Sequence, residues 1–67
     1  MDNIGRFKPG TVFKGNINGV QMVVIKIQKE NLNGCNKELA VIKDMTTEKT
    51  YTYGLRALER CNVTILK

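Results

Sequence analysis

The chain has 67 residues, enough for one domain but not for a deep core. A domain of this size buries only ~60% of the surface its unfolded form exposes, so it needs a staple or a partner to be robust. No His and two Cys leave too few ligands for a tetrahedral metal site, no apolar run reaches a membrane span, and a net charge of +5 suits either an anionic partner or an ordinary solvated surface.

Residues 1–9 show no sustained alternation and end at the single proline. They read as a leader that packs Ile4 or Phe7 against the domain, or frays. Pro9 and Gly10 punctuate the chain before a first strand over 11–15. Val12 and Phe13 fall on opposite faces of that strand, so one of them caps an open end of the core. Residues 15–19 form a turn, with Asn18 and Gly19 as the hairpin cue because both tolerate positive φ.

The dominant stretch is 19–29, GVQMVVIKIQK, the longest apolar run and one rich in β-branched residues. Val20, Met22 and Val24 share one face; Val23, Ile25 and Ile27 share the other. The apolar register therefore changes face near Val23 and Val24. A β-bulge or sharp bend does this, and a strand that serves both halves of a small barrel needs one.

Residues 29–37 read as a polar loop around a second Asn-Gly pair, Asn33 and Gly34. A third strand over 38–43 sets Leu39 and Val41 against Ala40 and Ile42. Residues 44–48 carry the Asp and Thr side chains of turn chemistry. A fourth strand over 49–53 sets Lys49, Tyr51 and Tyr53 against Thr50 and Thr52. Leu55, Leu58 and Cys61 recur at three-residue spacing after Gly54, which predicts a helical turn over 55–60 that is stable only when docked. A last strand over 62–66 places Val63 and Ile65 on one side. The expected core is Val12, Val20, Met22, Val24, Ile25, Val41, Leu55, Leu58, Val63 and Ile65, with Leu58 plugging one end.

Four meandering strands, a helical turn and a closing fifth strand resemble the SH3-like small barrels. The stretch KPGTVFKG over 8–15, followed by GVQMVV over 19–24, is similar to the KOW type within that group. There a Pro-Gly pair and a later glycine flank the first hairpin. The resemblance implies an all-β fold, a five-stranded SH3-like small barrel with one short helical turn before the last strand, and a single domain over 1–67. It implies no particular activity, because such barrels host many functions.

Catalysis finds little support. The commonest general base is missing with His, and neither Cys35 nor Cys61 has a base nearby in sequence. Cys35 reads as an exposed loop thiol and Cys61 as a small core hydrophobe. There is no phosphate loop or dinucleotide fingerprint. The expectation is a non-enzymatic chain with no cofactor and no small-molecule substrate. With no secretory pattern in the opening residues, a reduced, cytoplasmic setting with unpaired cysteines is the plainer reading.

Binding residues fall into two groups. If Lys49, Tyr51 and Tyr53 face outward, they form an aromatic platform on which bases stack; if inward, the rings fill the core while the hydroxyls reach its rim. Arg6, Lys8, Lys14, Lys26, Lys29 and Lys37 are dispersed. Hairpin geometry brings Lys14 and Lys26 onto adjacent strands, while Lys29 and Lys37 flank one loop, so the set either lines one barrel edge to engage phosphates or simply solvates the surface. Three functions follow. The first is a protein-interaction or assembly module, self-association included, using a sheet edge or a groove between the Asn16 and Asn33 loops. The second is a nucleic-acid-binding barrel with lysines on phosphates and stacked tyrosines. A redox pair of Cys35 and Cys61 is a third. Assembly ranks first, because no DNA or RNA motif occurs.

Overall fold

The structure is a computed structural model. It describes residues 3–67, with Leu32 by its backbone alone. The long apolar run becomes β2 (Gln21–Leu32), flanked by β1 (Val12–Gly15) and β3 (Cys35–Asp44). β4 (Thr50–Gly54) runs into the short helix α1 (Leu55–Glu59), and β5 (Val63–Ile65) ends the sheet. All four pairings are antiparallel, and the strand order is β4-β3-β2-β1-β5. Among the described residues no helix is long and apolar enough to cross a membrane.

The face change in β2 is a β-bulge. Val24 pairs with Ile42 and Lys26 with Val41, which leaves Ile25 as the extra residue. Met22, Val24 and Ile27 thereby share the core side although their spacing is uneven. Ile25 was expected in the core; as the bulged residue it leaves the inward row and is 43% exposed.

The buried cluster is Phe7, Phe13, Val24, Ala40, Ile42 and Leu58, with Met22, Ile27, Leu55, Val63 and Ile65 packed against it. Two further expected core positions move out. Val12 pairs with Val23, and Val41 with Lys26 and Thr52, all on the outer side of the sheet, where both are half-buried. Phe13 instead sits inward opposite Met22 and Ile65. Phe7 meets it edge to face, with ring centroids 5.2 Å apart. The leader is therefore docked through Phe7, while Ile4 is exposed. Asn3 secures that docking: its backbone N–H donates to the Glu59 carbonyl at 2.8 Å and its Nδ2 to the Val63 carbonyl at 3.2 Å.

The polar loop expected over 29–37 is a hairpin arm. β2 and β3 stay paired to Leu32 and Cys35, joined by Asn33 (φ 52°) and Gly34 (φ 79°), the two left-handed positions of a two-residue hairpin turn. Lys29 lies across from Glu38 and Glu30 across from Lys37, so opposite charges face each other along a ribbon with no core beneath it. The turn after β3 matches expectation. Asp44 Oδ1 accepts the backbone N–H groups of Thr46 at 2.7 Å and Thr47 at 3.2 Å.

The sheet is not closed into a barrel. β4 and β5 remain its two edges. β5 has three residues and pairs only with β1, while α1 packs against β3 and β4.

Candidate functional site

Closing the sheet would join β4 to β5, so the unjoined seam leaves side chains from both edges around a gap. Phe13, Val20, Met22, Ile42, Tyr53, Leu58, Cys61 and Val63 line an apolar cleft of about 210 Å³ there. That is smaller than the ~300–1,000 Å³ of small-molecule sites, and suits one or two side chains. Gly15 and Asn18 complete the lining. Asn18 Oδ1 accepts the Val20 N–H at 3.0 Å and stands close against Gly15, so a side chain at Gly15 would have to displace it.

The tyrosines stand beside this cleft. Tyr51 pairs with Ile42 and Tyr53 with Ala40, which turns both rings to the core side. Because β4 is an edge strand they remain 39% and 47% exposed, with ring centroids 6.5 Å apart and a 35° tilt. Their direction is that of core side chains, but their exposure is that of a platform. Lys49 does not share their strand, which starts at Thr50. It lies in the preceding turn, where its carbonyl accepts the Asp44 N–H at 2.8 Å.

Four lysines lie on the other face. Lys14 lies across from Gln21 and Thr64, Lys26 across from Val41, Lys37 across from Glu30, and Lys43 across from Val23 and Thr50. Lys29 is on the opposite side of the arm, facing Glu38, and Arg6 and Lys8 are exposed in the N-terminal segment. Lys14, Lys26, Lys37 and Lys43 thus lie on the face away from the tyrosines, because alternate residues of a strand point to opposite faces. Lys43 was missed, although its one-residue offset from the inward Ile42 marks it as outward.

The Asn16 and Asn33 turns lie at opposite ends of β2, too far apart to frame one groove among the described residues. Asn16 is committed to β5: its Nδ2 donates to Asn62 Oδ1 at 2.8 Å, and the Thr64 hydroxyl donates to its Oδ1 at 2.6 Å. Cys61 is exposed at the cleft rim rather than buried, its thiol donating to the Ala57 carbonyl at 3.2 Å. Cys35, also a free thiol, sits beside the arm's turn. A larger hollow of about 460 Å³ lies between the arm and α1, but Lys37, Arg56, Glu38 and Glu59 around it mix both signs and converge on no ligand. Comparison with protein-family models, curated proteins and solved structures finds no match for this chain.

Proposed function

We propose that this chain is a non-enzymatic protein-interaction module that receives an extended segment of an acidic partner along β4, with an apolar side chain of that segment in the seam cleft. The observation that carries the reading is the open seam itself. An edge strand presents a row of unpaired N–H and C=O groups, and proteins usually blunt such edges with Lys, Pro, bulges or cover. TYTYG in β4 has none of those residues. The other edge is met by Asn3, which bonds the Val63 carbonyl. A strand added to β4 would roof the cleft beside Tyr53 and shield both rings. The net charge of +5 favours an acidic segment and opposes pairing of two copies. Free thiols at Cys35 and Cys61 suit a reducing, cytoplasmic setting.

We likewise propose that the fold is an SH3-like small barrel left open at one seam. The meander order and the helical turn before the last strand support that reading.

Selection from a displayed library of random peptides, followed by amide and methyl NMR mapping, tests the function. Enriched peptides should be acidic with one large apolar residue, and should shift Thr50 to Gly54 together with Phe13, Leu58 and Val63. Enrichment of nothing, or shifts confined to the outer face, would sink it. A salt-insensitive dimer of the free chain would instead make the occupant a second copy.

A further inference from the structure

The face opposite the seam carries a second surface. From the register and ordinary strand spacings, Lys26 and Lys43 are about 8 Å apart at Cα, and Lys14 and Lys43 about 12 Å. Among the ladder partners on this face the sole acid is Glu30, and it sits at the arm opposite Lys37, leaving Lys14, Lys26 and Lys43 without an acidic ladder partner. Gln21, Thr50 and Thr52 add neutral donors between them. The same face carries the half-buried Val12, Val23 and Val41, apolar surface of the kind that lysine stems can cover.

We infer that Lys14, Lys26 and Lys43 form a sequence-independent contact surface for the phosphate backbone of a nucleic acid. Three features favour phosphates over an acidic protein. The face supplies donors and point charges, which is what phosphate contacts need. It holds no aromatic ring, since both tyrosines point to the core side and both phenylalanines are buried, so it lacks the anchor a protein interface centres on. Its ladder valines, Val12, Val23 and Val41, are half-buried in the sheet rather than gathered in a pocket. For the same reason it reads no bases: stacking is absent, and binding rests on counterion release alone.

The test is fluorescence anisotropy of a labelled random-sequence duplex against the intact chain across ~50–200 mM salt. The parent should bind weakly with a log–log slope of about −3, close to −0.9 for each of three lysines. K14Q/K26Q/K43Q should flatten that slope to near zero, whereas K8Q/K29Q/K49Q, which removes the same charge elsewhere, should leave most of it. Equal flattening by both triples would overturn the proposal, because net charge alone would then explain binding. No binding by the parent at the lowest salt overturns it too, as does displacement of the duplex by polyglutamate at equal charge concentration. Lys43 is half-buried, so K14Q/K26Q, at two exposed positions, guards against a folding artefact. An unchanged slope in that double variant counts against the proposal.

Discussion

Leu58 is the one buried residue of a five-residue helix, and it also lines the seam cleft. A helix this short has no stability of its own, so its docking rests on that side chain and on Leu55 packed beside it. Leu58→Ala should cost ~2–5 kcal/mol, read as a fall in the urea midpoint at unchanged slope. A midpoint equal to the parent's would mean that α1 is not held through Leu58. Asp44 is a second residue with a local task. Its Oδ1 takes two backbone N–H groups in a turn where Glu48 holds a left-handed φ of 63°. Asp44→Ala should lose ~1–3 kcal/mol, with Asp44→Asn losing less because it keeps the acceptor. Equal losses in the two variants would deny Oδ1 that role. Leu58 and the Asp44 turn were both legible in the sequence, one from three-residue spacing and the other from turn chemistry. Phe7 was legible only as one of two alternatives, since nothing local tells which leader side chain meets Phe13.

At the scale of elements, the bulge and the arm teach opposite lessons. The bulge was readable because two runs of apolar residues, out of step by one, can share a core only if the strand slips by one residue. Its placement fell one residue late, and that residue, Ile25, lost its expected burial. The arm was misread as a loop because no core lies under it, so its residues are polar on both faces and alternation carries no signal. The available signal was charge symmetry about the Asn33-Gly34 turn, with Lys29 and Glu30 answering Glu38 and Lys37. The arm depends on that turn. Gly34→Ala places a Cβ at φ 79° and should cost the hairpin ~1–2 kcal/mol. Hydrogen exchange should quicken at residues 29–37 while amides of the Val24 and Ile42 region keep their protection, since an outlying ribbon opens without the core. Uniform acceleration across the sheet would show that the arm and core unfold together.

For the whole molecule, the sheet separates two surfaces that the sequence could not separate. Composition reports five net positive charges and two tyrosines but not which side of a strand each occupies, because facing follows from register, and register passes through the bulge. Once Tyr51 and Tyr53 pair inward and Lys26 and Lys43 outward, no short ligand spans both. A peptide in the seam and a duplex on the outer face should then bind together. Linkage sets the expectation: sites whose ligands share no residue and bias no common two-state element have a coupling free energy near zero. The one predictable coupling is electrostatic. An acidic peptide lowers the net charge and weakens duplex binding modestly at low salt, and the effect fades as the Debye length shrinks to ~8 Å at physiological ionic strength. Anisotropy of the duplex, titrated with the chain saturated by a seam peptide and without it, should give affinities that converge at the higher salt. Competition that persists at ~0.15 M salt would mean that both ligands seek one surface and that the sheet does not divide them.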